Sequence, residues 1–226
     1  MIDVKMAKQL LTNDDPHGDQ PVLTAGPDPE SAAATLILVH GRGAPAETML
    51  SLFDEINVDN IAAISPQAAN HTWYPHSFLA SLDANQPFLD SALRRIDSLV
   101  KDLIARGIPS ERIALLGFSQ GACLVSEYVA RHPRRFGAAM ILTGGLIGPP
   151  STPRDYTGSL DGTPVFIASS DPDPHVPFER VIETDEVLAH MGAKVERRRY
   201  PHTPHTVVED EIVACRELLK KLANAS

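Results

Sequence analysis

The chain has 226 residues, 43% hydrophobic and 22% charged, proportions of an ordinary globular protein with material for one buried core. Its 20 Lys and Arg against 29 Asp and Glu leave a formal charge of −9, which argues against nucleic acid or an anionic membrane surface as the main partner. No apolar run approaches the roughly 20 residues of a membrane helix, and Met1–Leu11 lacks the apolar core of a signal peptide, so a cytoplasmic protein without stable membrane insertion is expected.

Residues 12–34 are rich in Asp, Pro, Gly and Ala and read as an irregular arm, with Pro21-Val22-Leu23-Thr24 as a candidate edge strand. Thr35–Val39 is a run of β-branched and leucine residues, the pattern of a parallel strand buried on both faces. A helix is expected over 46–55 and a strand over 60–64. Residues 65–85, broken by Pro66, Asn70, Pro75 and Asn85, carry no period and read as a long loop of the kind that often serves function. From 86 to 106 apolar positions such as Leu89, Leu93, Ile96, Val100 and Leu103 recur at helical spacing until Gly107. A strand at 112–116, a helix at 122–132 stopped by Pro133, and a strand at 137–142 follow. After a Gly- and Pro-rich loop come a strand at 164–169, a helix at 178–191, a strand at 194–199 and an amphipathic helix at 207–222. This alternation predicts one α/β domain over 1–226, a mostly parallel sheet with helices on both faces.

Gly117-Phe118-Ser119-Gln120-Gly121 joins the strand at 112–116 to the helix behind it. A serine on so tight a strand-to-helix turn has its hydroxyl forced outward, and the flanking glycines remove side chains that would clash. The helix N-terminus adds backbone N–H groups where an oxyanion would form. The competing reading is a glycine-rich turn with an incidental serine. A serine nucleophile needs a base and an orienting acid, which in this fold class follow in the order Ser, Asp or Glu, His. Asp171 and Asp173 follow the strand at 164–169, and His202 and His205 follow the strand at 194–199; spacing alone leaves each choice open. His40-Gly41-Arg42-Gly43, after the first buried strand, stands where the second oxyanion donor is supplied.

These segments together resemble the phospholipase/carboxylesterase family of small α/β-hydrolases, which includes acyl-protein thioesterases. The matching residues are Leu38–Gly43, Trp73-Tyr74, Gly117–Gly121, Asp173-Pro174-His175-Val176-Pro177 and Pro204-His205-Thr206, and the resemblance runs from about residue 35 to the C-terminus. It implies the α/β-hydrolase fold, with Ser119 as nucleophile, Asp173 as acid, His205 as base, and the backbone N–H groups of Arg42 and Gln120 as oxyanion donors. Asp173 is preferred over Asp171 because the family's acid directly precedes the Pro-x-Val-Pro turn. His205 is preferred over His202 because the family commonly has glycine at the latter position. Trp73, Tyr74 and Val176 are candidates for the substrate pocket, the two aromatics equally for anchoring their loop. The Arg42 side chain would set a cation at the pocket rim.

The implied activity is hydrolysis of carboxylic esters or thioesters through an acyl-enzyme, with a small-molecule or acylated ester or thioester as partner. No metal or organic cofactor is expected, since His71, His76, His175, His202 and His205 have no Cys or carboxylate beside them at ligand spacing. Acyl transfer to an alcohol and ligand binding without catalysis are the competing readings. Cys123 and Cys215, far apart on expected helices, read as reduced, packed thiols. The natural substrate, the acyl chain length and the oligomeric state, a homodimer included, stay open.

Overall fold

A computed structural model describes residues 15–225; Met1–Leu11 and the start of the expected arm lie outside the described residues. One seven-stranded sheet organises them. Its strands are β1 (Val22–Ala25), β2 (Ala34–Val39), β3 (Ile61–Pro66), β4 (Ile113–Phe118), β5 (Ala138–Leu142), β6 (Pro164–Asp171) and β7 (Lys194–Pro201), in the order β1-β3-β2-β4-β5-β6-β7. The expected edge strand is β1, which runs antiparallel to β3; every other pairing is parallel. The helices are α1 (Glu47–Ile56), α2 (Phe88–Ala105), α3 (Gln120–Arg131), α4 (Phe178–His190) and α5 (Glu209–Asn224).

Period-two alternation splits the core between the two faces. Ile37 and Val39 of β2 and Ile113 and Leu115 of β4 pack with α2, α3 and α4. Leu36, Leu38, Ala114 and Leu116 pack on the other face with Met49 and Leu52 of α1 and Ile212 and Cys215 of α5. Both faces are covered, so all six residues of β2 are buried. α3 is buried from Gln120 to Ala130, the most enclosed helix of the fold.

β6 and β7 extend two residues beyond the strands expected at 164–169 and 194–199. Ser170 and Asp171 pair with Tyr200 and Pro201 through the main chain, without the apolar side chains that mark a strand in sequence. The extension carries the loops after both strands to the sheet edge reached by β2 and β4. Chain order reverses there: β2 is flanked by β3 on one side and β4 on the other. The crevice outside the carboxyl ends of strands at such a switch point is the usual ligand site of an open α/β sheet. Among the described residues no helix is long and apolar enough to cross a membrane.

Candidate active site

Ser119 sits between β4 and α3 with φ 54° and ψ −117°, a backbone conformation that L-residues rarely hold. The surrounding glycines make it feasible. A β-carbon on Gly117 would lie 2.3 Å from the Gly121 carbonyl oxygen, and one on Gly121 would lie 2.0 Å from the Val39 carbonyl oxygen. Glycine at 117 therefore lets the turn close on the start of α3, and glycine at 121 lets α3 lie against the end of β2.

The loops after β6 and β7 converge on this serine. The Ser119 hydroxyl lies 2.9 Å from His205 Nε2, and His205 Nδ1 lies 2.7 Å from Asp173 Oδ2. A carboxylate only accepts, so Nδ1 carries the ring proton and Nε2 is left to accept from the serine. Asp173 Oδ2 also accepts from the Ser170 hydroxyl at 2.8 Å, and Oδ1 accepts from the backbone N–H groups of His175 and Val176 at 2.8 and 2.9 Å. Burial by itself would raise the Asp173 carboxyl, but these N–H groups, the His205 ring and the Ser170 hydroxyl outweigh it and hold the group below the usual carboxylate range. The His205 ring is flanked by Phe118 at 5.2 Å and, edge-on, by His175 at 4.9 Å between centroids.

The alternatives left open by spacing fall elsewhere. Asp171 ends β6 in an ion pair with Arg199, so it is paired rather than simply solvated. His202 is exposed, in the left-handed region at φ 58°, with its N–H bonded to the Asp171 carbonyl. Neither reaches Ser119.

The two expected oxyanion donors lie on either side of the serine, at the ends of β2 and β4. His40 is buried and its Nε2 accepts from the Ala68 N–H at 3.0 Å, so its proton is on Nδ1, which donates to the Gly41 carbonyl at 2.8 Å. Burial lowers the pKa of His40 and keeps it neutral in this role. A trans peptide points its C=O and N–H in opposite directions, so holding the Gly41 carbonyl turns the Arg42 N–H away from His40. No other described residue accepts from the Arg42 or Gln120 backbone N–H. The Gln120 side chain accepts from the Trp73 N–H at 2.9 Å and donates to the Tyr74 carbonyl at 2.8 Å, while the Trp73 indole N–H donates to the His40 carbonyl at 2.9 Å. The ends of β2 and β4 are thereby tied to one stretch of the 65–85 loop, which His17 also pins through Ala69 and the Trp73 carbonyl.

A pocket of about 660 Å³ opens beside Ser119 and His205. Tyr74, Phe78, Leu79 and Val176 give it apolar walls, and Arg42, His76 and His175 also line it. Of the three sequence candidates, Tyr74 and Val176 line the pocket and Trp73 does not. Trp73 is fully buried and spends its N–H groups on Gln120 and His40, so it anchors the loop. Cys123 also lines the pocket, yet it is 1% exposed and burial pushes its thiol up to about 12, which leaves it an unreactive packing group. Sequence reading missed Ser170 and the side-chain work of Gln120, His40 and His17. Gln120 stood inside the G-x-S-x-G motif, but that motif speaks only for its backbone.

Residues 23–223 match the family model described as phospholipase/carboxylesterase. The chain belongs to the phospholipase/carboxylesterase family. Its fold is the α/β-hydrolase fold, and by family it is a hydrolase of the carboxylesterase and acyl-protein thioesterase kind. A phospholipase/carboxylesterase from Dyadobacter fermentans has a crystal structure at 42% identity and a TM-score of 0.86, over 89% of this chain and 97% of that one. Acyl-protein thioesterase 1 of Debaryomyces hansenii is 26% identical across 85% of this chain and 92% of its own length. A relative in Arabidopsis thaliana named Probable carboxylesterase SOBER1-like is 25% identical across 87% of this chain and 82% of its own length. A carboxylesterase-family relative in Oryza sativa is 26% identical, the match spanning 64% of that protein.

Proposed function

We propose that this protein hydrolyses carboxylic esters or thioesters through an acyl-enzyme formed on Ser119. Ser119 Oγ attacks the carbonyl carbon as His205 Nε2 takes its proton, and Asp173 holds and stabilises the resulting imidazolium. The backbone N–H groups of Arg42 and Gln120 receive the negative oxygen of the tetrahedral intermediate. His205 then gives the proton to the leaving alcohol or thiol. A water deprotonated by the same imidazole attacks the acyl-enzyme, and collapse releases the acid and restores the Ser119 hydroxyl.

The observation that carries this reading is the unbroken chain from Ser119 through His205 to Asp173 at 2.9 and 2.7 Å, within the range for direct proton transfer. Family membership supports the reaction class, and the strained serine backbone supports the assignment of the nucleophile. Ser119→Ala is expected to lower kcat on p-nitrophenyl butyrate by about 10³-fold or more while leaving the thermal midpoint nearly unchanged. Wild-type turnover in that variant would rule the mechanism out. A matched series of acyl p-nitrophenyl esters and acyl thioesters then measures ester against thioester preference and chain length.

A further inference from the structure

The charge of the pocket is opposite to that of the chain around it. The protein carries 29 Asp and Glu and a net charge of −9, yet among the described residues no acidic side chain lines this pocket and the permanent charge on its wall is Arg42. The Arg42 guanidinium has no carboxylate partner among the described residues. Nη1 donates to the Pro75 carbonyl at 2.9 Å and Nη2 to the His76 carbonyl at 2.6 Å, with Cζ 5.9 Å from the Tyr74 ring centre. Two of its five N–H groups are spent on these carbonyls, and three remain for a ligand. The same two bonds hold the guanidinium over the Tyr74 ring, so little side-chain freedom is lost when an anion docks. His76 and His175 line the same pocket and can add hydrogen-bond donors.

We infer that the preferred substrates carry a carboxylate close to the scissile carbonyl and that the Arg42 side chain binds it. This rests on the acyl-enzyme reading above. On that reading the Arg42 N–H receives the oxyanion, so its guanidinium lies within one arginine side chain's reach of the reacting carbonyl. A substrate anion can then bridge from the ester to the cation by a short linker. An arginine that served only to tie the 75–76 turn to the oxyanion loop would not discriminate between charged and neutral substrates.

Two substrate pairs separate the cases, each an anion set against its neutral methyl ester. One is mono-p-nitrophenyl adipate against its methyl ester, with the carboxylate on the acyl side. The other is 4-(butanoyloxy)benzoate against its methyl ester, with the carboxylate on the leaving side. Within each variant the ratio of kcat/KM for anion over ester cancels any general damage to the oxyanion loop. The wild type is expected to favour the anion by about tenfold in at least one pair and to lose most of that preference in 0.5 M salt. Arg42→Gln is expected to bring the ratio to about one or below, and Arg42→Lys to keep part of it. A wild-type ratio of one or less in both pairs, or an unchanged ratio in Arg42→Gln, would overturn the inference. An enzyme that depends on Ser119 yet prefers the neutral esters refutes this inference alone. Turnover that survives Ser119→Ala refutes the mechanism beneath it.

Discussion

Asp173 shows how much of the proposed chemistry is decided by single side chains. Its carboxylate accepts four hydrogen bonds, and the bond to His205 Nδ1 selects the tautomer that lets Nε2 accept from Ser119. Asp173→Asn preserves size but presents either an amide oxygen without charge or an N–H that clashes with the Nδ1 proton. The expected loss in kcat is about 10³- to 10⁴-fold. Asp171→Asn removes only a half-exposed ion pair with Arg199, so activity should stay within about threefold and stability within about 1 kcal/mol. Steady-state kinetics and urea unfolding of the two variants check this, and equal losses would mean that the acid has been assigned to the wrong residue. There is a pH signature as well. The folded carboxyl of Asp173 lies below its unfolded value of about 3.9, so its contribution to stability is complete above that pH and disappears as pH falls through the folded value. Asp173→Asn should therefore lose less stability than the wild type on acidification from pH 5 to 2.

At the level of elements, the loops at the strand ends are held more rigidly than their sequence suggests. Gln120, at the head of α3, clasps Trp73 and Tyr74, and Trp73 in turn bonds the end of β2. The separation of the two proposed oxyanion donors is thus fixed by side chains as well as by the β2–β4 ladder. The start of α5 is held differently. Glu211, buried at 1% exposure, has one carboxylate oxygen accepting from the Val208 N–H at 2.9 Å and the other without a partner. Burial pushes this group from 4.5 up to about 7, against the lowering effect of the Val208 bond. Between those two values the folded chain binds more protons than the unfolded one, so stability falls as pH rises through the window, by up to ~3 kcal/mol. Glu211→Gln should flatten that fall. Urea unfolding at pH 5 and pH 8 measures it, and an undiminished decline in the variant would place its cause elsewhere.

On the scale of the whole molecule, the mostly parallel sheet was legible because burial on both faces leaves an unmistakable pattern, as in Thr35–Val39, whereas the strand order with its switch point is set by long-range pairing that no local pattern records. The ends of β6 and β7 were not legible either, because Ser170, Asp171 and Tyr200 pair through backbone groups that every residue type possesses. That difference also explains the candidate site. Ser119, with glycines on both sides and a strand-to-helix context, stood out from local sequence. The choice between Asp171 and Asp173, or His202 and His205, depends on where long-range pairing ends each strand, and only resemblance to a family distinguished them. Trp73 belongs to the same class, since a buried indole and a pocket wall have the same letter. All of these segments meet at one edge of one sheet, and the proposed mechanism requires that Ser119 be the group acylated there. A fluorophosphonate probe reacts with a serine only when a base and an oxyanion hole activate it. Peptide mapping of the labelled protein is predicted to find one equivalent of probe on Ser119, with activity lost in proportion and no labelling of Ser119→Ala. An unlabelled but fully active protein, or label on a different residue as activity disappears, would contradict it.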